Sequence, residues 1–503
     1  MSDGHVEPVS EREPGHRLVV ILLLIATALG AGLRAYSVAD EYLWFDEIVS
    51  TIISTQPTIA DVVEMAAQLD THPPGYYLLL HLWQRAFGSS DAAVRSLSVV
   101  LGTAAVPAIF LVGRQLFGAV TGLVAAFTMA AMPTSVLFSQ EARSYTLLTL
   151  AIILMWYFAI RISRRRDRAA TVGFAATALV LPWIHYWGAV ALAAAVLTAL
   201  ALAAGDRRQR AHLLQMMPGI ALATIGFVPW ISVILNHQLA ASETGWFPER
   251  AQLISIVGVF GRPFGNTLIM TPVGVLALAT TIASFVIVLW LWRRREMKAG
   301  DPRALWWVLG MLLLPVLLMA AMAEVANFWV GIKVPNVTMI PVAVACGAAI
   351  VGLWRRRVLA GVALGLVVLF LCVAGVWRCY TETHRPDWKS VIAVVEQQGR
   401  QGDVILAIDD RWIPDLVRRY YRGPLPVVGL SREITDRGAI TAEAMRVWPE
   451  SGRMWLIPRN PGDSPAPEIL QEIASHVERL GVHRIPLLRL DYPSEAMAAE
   501  IEP

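Results

Sequence analysis

Charge is what this chain has least of. Only 16% of its 503 residues are Asp, Glu, Lys or Arg, while 56% are hydrophobic. Soluble globular proteins carry roughly a quarter charged residues, so a chain this apolar belongs in a bilayer. Cysteine is scarce as well. Cys346 and Cys372 lie inside apolar runs and Cys379 follows closely, which leaves no paired framework and no expected disulfide. The net charge of +3 is too small to imply a nucleic-acid partner, and the basic residues cluster beside apolar runs. Walker, Rossmann and zinc-ligand spacings are missing, and no fixed-period repeat is present.

What is present is a series of apolar runs, each near the ~20 residues needed to cross the hydrocarbon core. They cover about 18–36, 93–113, 119–138, 145–161, 170–184, 187–204, 213–234, 267–292, 305–322, 334–353 and 358–376. The first has no small-residue cleavage site directly after it and reads as a retained span. Arginine-rich connections at Arg161–Arg168, Arg207–Arg210, Arg293–Lys298 and Arg355–Arg357 face the cytoplasm by the positive-inside rule. That orientation holds only if His72–Gly88, a short apolar segment led by two prolines, lies at the outer interface instead of crossing. Thr58–Asp70, with apolar and polar residues on separate helical faces, reads as a second such helix, capped by Thr58, or as an ordinary surface helix.

The expected organisation is a cytoplasmic tail (1–17), a polytopic α-helical membrane domain of about eleven transmembrane helices (18–376), and a small extracytoplasmic domain (377–503). Interfacial helices occupy the first external loop, 37–92. In the tail, DWKSVIAVVEQQG is helix-like, and DVILAI and MWLIP read as strands, which makes an α/β domain.

Three external segments carry chemistry. DEYLWFDEIVS, from Asp40 to Ser50, places four carboxylates and three aromatics just beyond a span. Asp40 and Glu41 suit a solvated acidic cap, whereas Asp46 and Glu47 sit between apolar residues, where a carboxylate can serve as a general base. THPPGYY fixes His72 behind two prolines, and a fixed imidazole can donate to phosphate. SQEARSYTLL contains Glu141, Arg143 and Tyr145. Glu141 and Arg143 either pair with each other, or Arg143 binds an anionic head group while Glu141 orients substrate. His185, Arg262 and Lys333 are polar residues at outer span ends. Singly each suits a snorkelling or structural role, but together they could serve a lipid phosphate.

WFDE, HPPGYYLLLHLW and SQEARSY, in that order and spacing, resemble the bacterial branch of the glycosyltransferase C superfamily related to protein O-mannosyltransferases. The resemblance implies a sugar donor on a polyprenyl phosphate, an acceptor on the non-cytoplasmic face, and a location in a bacterial inner membrane. It implies Asp46 as catalytic base with Glu47 beside it, His72 near the donor phosphate, and Glu141 and Arg143 in the same cavity. Relatives often carry an Arg–Tyr pair where this chain reads KVPNVTMIPV. The expected reaction is an inverting displacement at the anomeric carbon, with Asp46 deprotonating the acceptor as the lipid phosphate leaves. No cofactor is required by it, although Asp46 and Glu47 could hold a divalent ion. The rival readings are a transporter or lipid flippase and a non-catalytic scaffold. Polar groups gathered at span ends, and no repeated halves, disfavour transport.

Overall fold

The computed structural model describes residues 15–493 apart from 71, 205–206, 244–256, 266–270, 296–302, 326–334, 383–386, 409–411, 432, 450–451, 459–463 and 481–486. It divides into two units, one of residues up to 38 with 53–381, the other of 39–52 with 382–503.

The first unit is helical. It contains α1 (His16–Ala35), the end of α2 (Phe45–Ser54), α3 (Ile59–Leu69), α4 (Gly75–Phe87), α5 (Asp91–Phe117), α6 (Ala119–Ala131), α7 (Pro133–Ser139), α8 (Tyr145–Arg164), α9 (Arg168–Ile184), α10 (Tyr186–Ala203), α11 (Arg207–Leu213), α12 (Met217–Glu243), α13 (Pro272–Arg293), α14 (Ala304–Val325), α15 (Pro335–Arg356) and α16 (Val358–Thr381). Among the described residues, each of the eleven expected segments is largely helical. Among the described residues nine helices are long and apolar enough to cross a membrane. The remaining two segments are the α6–α7 pair, bent by 56°, and the 17-residue α9. At 13 residues, α4 is about 20 Å long, too short for a ~30 Å core. Thr58 caps α3 through a reciprocal capping box with Asp61.

Two local features explain how the bundle closes. A Cβ on Gly113 would lie 2.9 Å from the Cα of Gly122, so only glycine lets α5 and α6 approach this closely, as small residues do in membrane bundles. At the α6–α7 bend, Pro133 has no N–H to offer the carbonyl of Met129. Buried Arg34 of α1 supplies the missing donors, reaching the carbonyls of Met129 and Ala130 at 3.1 and 2.8 Å and the hydroxyls of Ser135 and Ser139 at 2.7 and 3.1 Å.

The second unit carries a five-stranded sheet. Its elements are α17 (Trp388–Gln398), β1 (Val404–Ile408), α18 (Ile413–Tyr420), β2 (Val427–Leu430), α19 (Arg437–Val447), β3 (Arg453–Pro458), α20 (Ala466–Ile473), β4 (His476–Arg479) and β5 (Leu488–Asp491). Strand order is β2-β1-β3-β5-β4, with β1 parallel to β2 and β3 and the other pairs antiparallel. The central strand VILAI is buried at every position, as a parallel strand covered on both faces must be. Asp403 ties β1 to β3 by accepting from Arg453 at 2.8 Å and from the indole of Trp455 at 2.9 Å.

The sequence assigned all of 37–92 to the membrane domain. In the structure, 39–52 groups with the sheet domain instead. The reason is aromatic: Tyr42 stacks on Tyr420 with ring centroids 3.9 Å apart, and the Leu43 N–H donates to the Tyr420 hydroxyl at 2.9 Å.

Candidate functional site

In the helical unit, the polar residues singled out in two separate segments converge on a carboxylate that the sequence reading passed over. Asp70 ends α3, accepting from His72 Nδ1 at 2.6 Å and from Arg143 Nη1 at 2.9 Å, and from the Tyr77 hydroxyl. Arg143 also donates to the Tyr77 hydroxyl at 3.1 Å. Burial alone would raise the Asp70 carboxyl, but the charges of His72 and Arg143, with the hydrogen bonds of His72 and Tyr77, hold it well below the ordinary carboxylate range. Because an ionised carboxylate only accepts, the proton between Asp70 and His72 lies on Nδ1. The 3.3 Å approach of Arg143 Nη2 to that nitrogen is therefore a contact between two donors. His72 Nε2 is left as the ring's working nitrogen.

The backbone sets these positions. Pro73 and Pro74 stiffen the approach to α4, and its first residue must be glycine, since a Cβ on Gly75 would lie 2.5 Å from the carbonyl of Trp183 in α9. Arg143 comes from the tight turn after α7, in which its N–H donates to the Glu141 carbonyl at 2.8 Å. His185, extended between α9 and α10, accepts from the Trp187 N–H through Nδ1 at 3.1 Å. Its ring lies 4.6 Å from that of His72 and 6.4 Å from that of Tyr145. His72 and Arg143 thus meet at Asp70, His185 stands beside His72 with Tyr145 next to it, and Glu141 is buried in the adjoining turn.

Asp46 and Glu47 lie in the unit with the sheet domain. Both fall in the first turn of α2, where carboxylates favour the helix dipole. Glu47 Oε2 accepts from the Trp44 N–H at 3.2 Å, a helix-capping role. Asp46 is half-buried, while Asp40 and Glu41 are exposed. Phe45 packs edge-on against Trp412 at 5.9 Å. Tyr42, Leu43 and Phe45 therefore fasten this segment to α18 and the residue before it.

Arg262 is half-buried in a single helical turn and is anchored through its carbonyl, which accepts from Thr134 of α7 at 2.5 Å. Lys333 lies outside the described residues. Among the described residues no group of three or more His, Cys, Asp or Glu side chains is placed to hold a metal ion.

The missed residue, Asp70, did leave a signal. A carboxylate at a helix C-terminus opposes the dipole and persists there when cations meet it, and His72 stands two positions on.

The spans make the chain a multi-pass membrane protein. Residues 71–233 match the family model of dolichyl-phosphate-mannose-protein mannosyltransferases. No curated protein sequence matches the chain. ArnT from Cupriavidus metallidurans in the apo state aligns with a TM-score of 0.55 over 97% of this chain and 99% of its own, at 15% identity. The arabinofuranosyltransferase AftD from Mycobacteria aligns at 0.53 over 95% of this chain and 40% of its own, at 14% identity. The Archaeoglobus fulgidus oligosaccharyltransferase AglB, solved with an inhibitory peptide and a dolichol-phosphate, aligns at 0.51 over 88% and 69%, at 12% identity. The chain has the fold of the glycosyltransferase C superfamily of membrane glycosyltransferases.

Proposed function

We propose that this protein transfers a sugar from a polyprenyl-phosphate donor to an acceptor on the outer face of a bacterial inner membrane. The observation that carries the reading is the partly buried cluster of Asp70, His72, Tyr77 and Arg143 beside His185, set in a chain with the glycosyltransferase C fold. AglB, which shares that fold, was solved with a dolichol-phosphate. In this reading His72 Nε2 and the Arg143 guanidinium balance charge on the phosphate as it leaves, and Asp70 holds both in place. Asp46 removes the proton from the acceptor hydroxyl, and the anomeric configuration inverts. Glu47 keeps α2 capped so that Asp46 is held, and no cofactor is needed for these steps. Glu141, Tyr145, Arg262 and Lys333 are assigned to the donor side of the same reaction.

The test is transfer of radiolabelled sugar from polyprenyl-phosphate donors in membranes carrying the protein. Asp46→Asn and Arg143→Met are each expected to lower transfer about 100-fold or more, the size of effect seen when a positioned base or charge-stabilising donor is removed. Wild-type rates in Asp46→Asn would remove Asp46 from the mechanism. Sugar carried across without covalent attachment would replace transfer by transport.

A further inference from the structure

The polar face of α4 continues past the Asp70 cluster. Tyr77, His81 and Gln84 are four and three residues apart on this helix, which puts them on one face. Gln84 lies roughly 10 Å along the axis from Tyr77. There a cleft of about 340 Å³ opens, lined among others by Ser54, Gln56, His81, Gln84, Arg85 and Ser89. None of these residues belongs to the cluster described above.

His81 and Gln84 are only 4% and 8% exposed. Among the described residues, Nε2 of His81 and both Nε2 and Oε1 of Gln84 are buried without a hydrogen-bond partner. A buried polar atom left unpaired carries a desolvation cost, and here three such atoms belong to two side chains that line one cleft. The His81 tautomer follows from its other nitrogen. Nδ1 lies 2.9 Å from the Ser54 carbonyl, which can only accept, so Nδ1 carries a proton and the tautomer that fits presents a lone pair at Nε2. The buried inventory is therefore two acceptors, His81 Nε2 and Gln84 Oε1, and one two-proton donor, Gln84 Nε2. An anion would face both lone pairs, and a cation would face Arg85. Hydroxyl groups, which donate and accept at once, satisfy all three.

We propose that this cleft is a binding site for an uncharged sugar residue, with the Gln84 amide bridging neighbouring hydroxyls and His81 Nε2 accepting from one of them. Binding is independent of the donor-phosphate cluster. The role rests on the proposed transferase reading: the cleft holds a sugar of the acceptor beyond the hydroxyl that reacts.

The experiment titrates the full chain in detergent with the methyl glycosides of glucose, mannose, galactose and arabinose, read by saturation-transfer NMR, with inorganic phosphate as competitor. At least one glycoside should bind in the millimolar range and resist displacement by phosphate. Gln84→Leu and His81→Phe should each weaken binding tenfold or more, and Arg143→Met should leave it unchanged. Gln84→Leu removes unpartnered atoms and should not lower the melting temperature, so its loss of binding cannot come from unfolding. Absence of glycoside binding, or displacement by phosphate, overturns the proposal. So does binding that survives Gln84→Leu but is lost in Arg143→Met; that result would place the sugar at the Asp70 cluster and leave the transferase reading standing. A failed transfer assay with cleft binding intact would do the reverse.

Discussion

Asp70 is the residue on which the helical-unit cluster turns, since one carboxylate holds His72, Tyr77 and Arg143. Removing its charge breaks its ion pair with the Arg143 guanidinium, only 5% exposed at its side chain, and breaking a buried pair costs about 3–5 kcal/mol. Asp70→Asn should lower the melting temperature accordingly. The pH dependence has a definite sign. With its folded-state value well below 3.8, the carboxylate contributes fully above the unfolded value of about 3.9 and loses that contribution as pH falls through the folded one. The melting gap between wild type and Asp70→Asn should still be present at pH 5 and close only in strong acid; a gap already closed at pH 5 would contradict the ionised assignment. Arg34 is a second residue-scale case. Its guanidinium serves two carbonyls and two serine hydroxyls at the α6–α7 bend, so Arg34→Met should destabilise by about 3 kcal/mol or more, measured by thermal unfolding in detergent.

At the scale of elements, α18 has a task that its position in the chain does not announce. Through Tyr420 and the neighbouring Trp412 it holds residues 42–45, immediately ahead of Asp46. An aromatic pair contributes about 0.5–1.5 kcal/mol beyond its buried area. Tyr420→Ala should therefore reduce kcat for sugar transfer about tenfold while leaving KM for the lipid donor nearly unchanged. Tyr420→Phe, which keeps the stack and loses the 2.9 Å hydrogen bond, should fall in between. Equal rates in all three proteins would mean that this contact does not position Asp46. The α6–α7 bend and the short α4 make a related point: Pro133 interrupts one helix and Gly75 starts the other against Trp183, so single residue types decide where each element stops.

For the whole molecule, the orientation argument yields a direct measurement. Alkaline phosphatase fused after Arg166 should be inactive and fused after Pro458 active, as the positive-inside rule predicts for the arginine-rich connections. The reverse pattern would overturn that orientation and the interfacial reading of His72–Gly88 that goes with it.

What the sequence determined by itself is what depends on local composition. Apolar length marked every span, the paired prolines and short run of His72–Gly88 marked α4, Thr58 marked the start of α3, and buried-strand composition marked β1. The first external loop and the HPP and EARSY segments were legible as polar chemistry beside apolar runs. Only tertiary structure decided which charges meet. Arg143 donates through Nη1 to Asp70, 73 residues earlier, at 2.9 Å. Likewise Tyr42 finds its partner 378 positions on, at Tyr420. Such pairings depend on how α3, α4 and the α7–α8 turn converge, and on which surface the sheet domain offers to residues 39–52. That convergence is a property of packing between distant segments, which no spacing along the chain encodes.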